Sequence, residues 1–252
     1  MYSKNLLTFN NAKTIKGQKK KFVTAILYMS PFTQNSKGVN LCPMASEGCA
    51  SACLFESGFG GIYTSVKQGR IEKTEFYLSN RIAFLDKLVV EISKLEKKFI
   101  GSEFTLAIRL NGTTDISYEK QITSNGKTIF DTFPNIQFYD YTKNYTRFKK
   151  VLPKNYHLTF SRSEINHDIS MDLLSKGHNV AIVFDKLPDT YMGYKVINGD
   201  ETDLRFLDEK NVIVGLKYKK MTTKGADNEA AFKSGFVIDV DKVNKNQLLE
   251  VA

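Results

Sequence analysis

The chain lacks most of the features that assign a protein quickly to a compartment or a chemistry. No apolar run approaches the roughly 20 residues that a membrane helix needs. The polar start, Met1-Tyr2-Ser3-Lys4-Asn5, has no signal-peptide core. No membrane partner and a cytoplasmic location are therefore expected. There are only three cysteines in 252 residues. Three thiols cannot all pair within one chain, and a domain of this length needs no disulfide staples, so reduced thiols available as ligands are the better reading. We find no Gly-x-Ser-x-Gly nucleophile elbow, no phosphate loop ending in Gly-Lys-Ser/Thr, no helix-turn-helix or zinc-finger pattern, no repeat and no low-complexity segment.

What is present supports a globular reading. With 42% hydrophobic and 25% charged residues, the chain can bury a proper core, and we expect one α/β domain over 1–252. Residues 1–21 form a basic arm dense in Lys13, Lys16, Lys19, Lys20 and Lys21. Residues 222–252 form an extension with a polar linker around Gly225-Ala226-Asp227-Asn228 and an apolar run at Gly235-Phe236-Val237-Ile238. The net charge of +9 points to an anionic partner, such as nucleic acid, a nucleotide or other small anionic ligand, or an acidic protein, unless it is only a solvated lysine-rich surface.

Along the chain, Phe22 to Met29 is almost continuously apolar and bounded by Pro31, the mark of a strand buried on both faces. From Ile62 to Phe99 the chain reads as helix broken near Ser79, with Ile82, Leu85, Leu88, Val89, Ile92, Leu95 and Phe99 as one apolar stripe. A second strand follows at Phe104–Leu110, then further strands at Ile136–Tyr141, Tyr156–Phe160, Asn179–Phe184, Tyr194–Ile197 and Val212–Lys217. Helical stretches are expected around Tyr145, Phe148 and Val151, and around Ile165, Ile169, Leu173 and Leu174 before Gly177. Alternating strand and helix predicts a mainly parallel sheet, either an incomplete (β/α) barrel or a sheet finished by hairpins.

All three cysteines fall in the loop after the first strand, as Cys42, Cys49 and Cys53 with spacing C-x6-C-x3-C. Thiolates suit zinc and iron–sulfur clusters. A closed zinc site wants a fourth ligand, and His157, His167 and His178 all lie more than a hundred residues downstream; His157 is the first candidate. A [4Fe-4S] cluster held by three cysteines needs none and leaves one iron open. The small residues Ala45, Ser46, Gly48, Ala50, Ser51 and Ala52 let backbone amides approach the sulfurs. Buried cysteines without any metal are the third reading. The glycines of Glu56-Ser57-Gly58-Phe59-Gly60-Gly61 allow close approach to a bound group or a sharp turn.

Functional groups in parallel sheets gather beyond the carboxyl ends of strands. Asn111, Thr113, Thr114 and Asp115, then Asp140, Tyr141 and Lys143, then Ser161, Ser163 and Glu164, then Asn198, Asp200, Asp203 and Arg205 fall there, although Asp, Asn, Ser and Gly are also ordinary turn and cap residues. Arg109, inside an apolar strand, must be paired if buried, and Asp115, Asp140 or Asp200 are natural partners. Asn111 is grouped with the three cysteines as cofactor-binding. Arg109, Asp115, Asp140 and Asp203 are the candidate catalytic set.

Asn40-Leu41-Cys42-Pro43-Met44-Ala45-Ser46-Glu47-Gly48-Cys49 with Cys53-Leu54, Gly69-Arg70, Lys73-Thr74, Arg109 to Ile116, Tyr139 to Lys143, Thr159-Phe160-Ser161 with Glu164, and Gly199-Asp200 with Asp203 and Arg205 resemble the phage gene-product-88-like proteins. That resemblance covers most of the chain and implies a phage-encoded protein in the host cytoplasm. More distantly, a strand, a three-cysteine loop and a helix in that order resemble the radical S-adenosylmethionine (SAM) enzymes. Their likeness implies a partial barrel, a [4Fe-4S] cluster and SAM as a possible cofactor. The loop departs from their C-x3-C-x2-C, and Asn111-Gly112-Thr113-Thr114-Asp115 replaces their glycine-glycine-glutamate stretch. Three functions stay open: redox or radical chemistry on a small anionic or nucleotide substrate, nucleic-acid binding with a structural zinc or cluster, and an electron carrier or redox sensor.

Overall fold

The apolar run from Phe22 is paired on both sides, as its composition requires. In the computed structural model, which describes residues 3–9, 12–57, 62–222 and 227–243, β1 (Leu7–Thr8) lies antiparallel to β2 (Phe22–Leu27), and β2 lies parallel to β3 (Thr105–Arg109). The sheet continues through β4 (Gln137–Thr142), β5 (Tyr156–Ser161), β6 (Val180–Phe184), β7 (Thr190–Tyr191), β8 (Tyr194–Asn198) and β9 (Ile213–Lys217). The strand order is β1-β2-β3-β4-β5-β6-β9-β8-β7, and all neighbours but the two outermost pairs run parallel. It is an open, mostly parallel sheet in a mixed α/β fold, ended at one edge by the β7–β8 hairpin. The seven strands expected from the sequence are all present; β1 and β7 were too short to show a pattern.

The longer helices cover one face. After α1 (Glu47–Ser51), α2 (Thr64–Ser79) and α3 (Arg81–Phe99) are separated by Asn80, whose extended backbone ends one helix while its side chain accepts from the Ala83 amide and starts the next. Phe84, Leu85, Leu88, Ile92 and Leu95 of α3 pack on Ala25, Leu27, Leu106, Ile108 and Phe138. Each such buried side chain contributes about 1.5–3 kcal/mol. Ile82 is a correction to the expected stripe: it is 54% exposed, because Phe84 takes the buried position in that first turn. Further along, Leu173 and Leu174 of α4 (His167–Ser175) pack on Phe160, Val180 and Ile182. The helix expected at Tyr145 to Val151 is only a 3-10 turn over Tyr145–Lys149, and Val151 is fully exposed. Pro153 follows closely, and a proline disfavours helix in the residue before it.

Strand register explains what the other face carries. Arg109 lies beside Ile26, Tyr139 beside His157, Tyr141 beside Thr159, and Ser161 beside Ala181. Alternation therefore puts Arg109, Tyr139, Tyr141, His157, Thr159 and Ser161 on the face away from the helices. Phe206, in the 3-10 turn Arg205–Leu207 between β8 and β9, meets Phe22 and Tyr139 edge-on or tilted there. Two anchors fix the entrance to the cysteine loop: Lys73 Nζ donates to the Leu6 carbonyl at 2.8 Å, and Thr74 Oγ1 accepts from the Ser30 amide at 2.9 Å. Gly58 to Gly61 of the glycine loop, Gly225 and Ala226 of the linker, and residues 244–252 lie outside the described residues.

Candidate functional site

A cavity of about 440 Å³ opens at the carboxyl ends of the parallel strands, on the face away from the helices. Cys42, Cys49 and Cys53 all line it, together with Arg109, Asn111, Thr113, Asp115, Tyr141, Lys143, Asp200 and Asp203. Its size falls within the roughly 300–1,000 Å³ of small-molecule sites.

The cysteine loop is built to one shape. Ser46 caps α1, its Oγ accepting from the Cys49 amide at 3.2 Å and donating to Glu164 Oε2 at 2.8 Å. Glu164 Oε1 accepts from the Gly48 amide at 2.7 Å, so one carboxylate 116 residues downstream clamps the first turn. Gly48 is required here. A Cβ would come within 2.7 Å of Phe236 Cβ and 2.8 Å of Glu164 Oε1, and would collide with Ser234 Oγ. On its other flank, the loop is tied to the segment after β3: the Asp115 amide donates to the Leu41 carbonyl at 2.9 Å, and the Cys42 thiol to the Thr113 carbonyl at 3.7 Å.

Two donors face the sulfurs. The Phe32 amide donates to Cys42, and Phe32 holds a left-handed backbone (φ 51°) that side chains rarely adopt. The Lys143 ammonium reaches Cys49 and donates to Ser161 Oγ at 3.0 Å. Burial alone would lower the Lys143 pKa, but Cys49, Asp115 and Cys42 outweigh it and raise it. Burial pushes the Cys42 thiol up to about 12, against the pull of the Phe32 amide, with Cys53, Asp115 and Cys49 adding to the rise. Burial of Cys42 therefore favours the thiol over the thiolate. The three sulfurs do not all lie within 4.8 Å of one another. Among the described residues the only trio of potential metal-ligand atoms lying mutually within 4.8 Å is the mostly exposed Asp185, Asp239 and Asp241.

The opposite wall is a buried charge network. Arg109 pairs with Asp203 at 3.0 Å and lies 4.0 Å from Asp140, with its guanidinium 4.7 Å from the centre of the Tyr141 ring. Tyr139 donates to Asp203 at 3.2 Å. Asp203 is thus the main partner of Arg109, with Asp140, one of the three expected from the sequence, as a weaker second partner at 4.0 Å. Asp140 does not line the cavity: strand alternation turns it to the helix side, where it accepts from the Asn111 amide at 2.7 Å and from Tyr156 at 2.8 Å. Burial pushes it up to about 6, against Arg109, the Asn111 amide and Tyr156. Asp115 lines the cavity but is held by Arg147 at 3.3 Å and by the Lys143 amide at 2.8 Å.

Asn111 lines the cavity too, yet its side-chain amide is engaged by Thr114, Ile116 and Asp140 and shapes the loop. None of the three histidines lines the cavity. His157 sits on β5, pushed down to about 4 by burial and then by Arg205 and His178. Ser163, Glu164, Asn198 and Arg205 also stand outside the cavity wall. Sequence reasoning missed Phe32, whose backbone no composition signal foretells, and Lys219, which sits two residues past the end of the expected strand. It also placed Lys16 in the basic arm, without its place in the wall.

The family model for gene product 88 matches residues 5–239. No curated protein and no solved structure matches the chain.

Proposed function

The chain belongs to the gene product 88 family, and we propose that it is an iron–sulfur redox enzyme in which Cys42, Cys49 and Cys53 would hold a [4Fe-4S] cluster beside a site for a small anionic or nucleotide substrate. One observation carries this reading: three thiols from one short loop meet on a single cavity whose other wall is a buried, charged network. The donor set fits the group. Three soft ligands, a backbone amide and an ammonium directed at sulfur, and small residues between the ligands are what a cluster with three cysteines requires. Zinc fits less well, since no histidine lines the cavity and the sulfurs are spread beyond a single ion's shell, in which Zn–S is about 2.3 Å.

When bound, such a cluster supplies electrons one at a time. The chain's residues do the rest. Phe32 and Lys143 stabilise negative charge on the sulfurs, Glu164 and Ser46 hold the loop that presents them, and the Arg109–Asp203 pair fixes a polar wall for orienting substrate. The order of strand, cysteine loop and helix, and the sequential parallel run from β2 to β6, are features in common with the radical SAM partial barrels, and on that analogy alone SAM is a candidate cofactor. A cluster beside a cavity favours catalysis over an electron carrier. Nucleic-acid binding rests on the +9 charge and the exposed Lys19, Lys20 and Lys21.

Anaerobic purification with iron and acid-labile sulfide analysis, and electron paramagnetic resonance of the reduced protein with and without SAM, test the reading. We expect about four irons and four sulfides per chain, lost when any of the three cysteines is replaced by alanine, and a spectrum that shifts with SAM. Zinc alone would overturn the cluster; iron and sulfide without a shift would remove SAM.

A further inference from the structure

Where β8 and β9 end, three lysines meet Asp200, two of them through their ammonium groups. Lys16 Nζ donates to the Asp200 carbonyl at 2.5 Å, Lys219 Nζ pairs with Asp200 Oδ1 at 2.7 Å, and the Lys217 amide donates to Asp200 Oδ2 at 2.9 Å. All four residues line the cavity that holds the cysteines. Lys16 comes from the 3-10 turn Lys16–Lys20, 184 residues from Asp200, so this corner is assembled by the fold and is no local run of charge. Its backbone is tightly packed, because a Cβ on Gly199 would come within 2.5 Å of Val214 Cγ1 and 2.8 Å of Arg205 Nη1.

Charge does not balance here. Burial alone would raise the Asp200 pKa, but the Lys219 hydrogen bond, the Lys217 amide and the Lys219 and Lys16 charges outweigh it and hold it below the usual carboxylate range. One carboxylate therefore faces the ammonium charges of Lys219 and Lys16, while Lys217 meets it through its backbone amide and lines the same cavity. Each ammonium has three donors, and among the described residues the structure uses one of Lys16's and one of Lys219's. Over the whole cavity five basic side chains, Lys16, Arg109, Lys143, Lys217 and Lys219, face three acidic ones, Asp115, Asp200 and Asp203. An ammonium binds phosphate oxygens as a point charge with several donors, whereas the planar fork of Arg109, which would also suit a phosphate, is committed to Asp203.

We propose that Lys16, Lys217 and Lys219 form an anion subsite that takes the phosphate end of a phosphorylated small-molecule substrate. The proposal rests on reading this cavity as a substrate site, and it does not depend on what the cysteines hold.

Isothermal titration calorimetry of the full chain with inorganic pyrophosphate tests it, with iron and sulfide measured on the same preparations. We expect saturable binding by the wild type and at least about tenfold weaker binding by K217Q/K219Q, since a hydrogen bond to a charged group is worth about 1.5 kcal/mol or more. K217R/K219R should keep most of the affinity. K19Q/K20Q, which removes two lysines outside the cavity wall, should leave it unchanged. The single variant K219Q, at a side chain 57% exposed, provides a fold-neutral version of the same test. Failure to bind pyrophosphate, equal affinity in K217Q/K219Q and wild type, or an equal loss in K19Q/K20Q would overturn the subsite. Pyrophosphate binding without iron would keep the subsite and sink the cluster; iron without pyrophosphate binding would do the reverse.

Discussion

Replacing Glu164 with alanine should loosen the cysteine loop without touching a cysteine. Its two oxygens accept from the Gly48 amide at 2.7 Å and from Ser46 Oγ at 2.8 Å, and Ser46 in turn caps the helix that carries Cys49. A hydrogen bond to a charged acceptor contributes about 1.5–3 kcal/mol, and an amide left without a partner costs about 1–3 kcal/mol. Water reaching the half-buried site recovers part of this, so we expect E164A to lose about 2–4 kcal/mol of stability. E164Q keeps a carbonyl acceptor and should lose about 1 kcal/mol. Urea titration of the metal-free protein reads the loss as a lower midpoint with unchanged slope. Iron per chain after anaerobic reconstitution reads whether the loop still presents its sulfurs, and it should drop in E164A. A change of less than about 0.5 kcal/mol together with wild-type iron content would refute the clamp. Lost stability with full iron would leave Glu164 a role in folding alone.

Alanine at Gly48 has no room beside Phe236 and Glu164 and should destabilise by about 1–3 kcal/mol, whereas alanine at Gly69, inside α2 with open space around its Cα, should stabilise by about 1 kcal/mol; thermal melts of the two variants give opposite shifts if the local packing is right. Arg109→Met strands Asp203 without its cation and should cost about 3–5 kcal/mol, much of it recovered in the double variant with Asp203→Leu; a double-mutant cycle with no coupling would count against a buried pair. For His157 the folded pKa of about 4 lies below the usual 6.5, so the neutral ring stabilises the fold above pH 6.5 and that contribution is lost as pH falls from 6.5 toward 4. It amounts to at most about 3 kcal/mol, reduced by partial exposure. Urea midpoints of wild type and His157→Gln should therefore converge across that window, and a constant gap would show that the ring titrates normally.

The strands and the long helices were legible because their signals are local. A run such as Phe22 to Leu27, or a stripe such as Leu85, Leu88, Ile92 and Leu95, needs no knowledge of its neighbours. Asn80 could be placed only to within a residue, since a polar cap looks like any polar helix residue until its backbone is seen. The cysteine loop was legible for the same reason, through spacing. Which carboxylate meets Arg109 was not, because it depends on register and on a crossover. Asp140 is next to Tyr139 and Tyr141 in sequence and on the opposite side of the sheet from both; a change of one residue in parity decides whether a strand-end aspartate enters the cavity or supports it from behind. Asp203 arrives from the segment between β8 and β9, a stretch whose polar residues read equally well as turn chemistry.

That same crossover explains why the site is charged. A parallel sheet with helices on one face must still cover the other, and here β3, β4 and β5 present Arg109, Tyr139, Tyr141, His157 and Thr159 to it in place of an aliphatic layer. Segment 199–212 supplies matching groups: Asp203 for Arg109 and Tyr139, and Phe206 against Phe22 and Tyr139. Buried ion pairs rarely improve stability over apolar packing. An aliphatic interior would cover the sheet at lower cost, so the polar layer is best understood by what lies above it. The pair fixes the floor of a cavity whose rim carries Asp200, Lys217 and Lys219 on the two ends of that crossover and the cysteines on the loop facing them. The crossover that neutralises the buried arginine thus also builds the lysine-rich corner, in the same cavity as the three sulfurs.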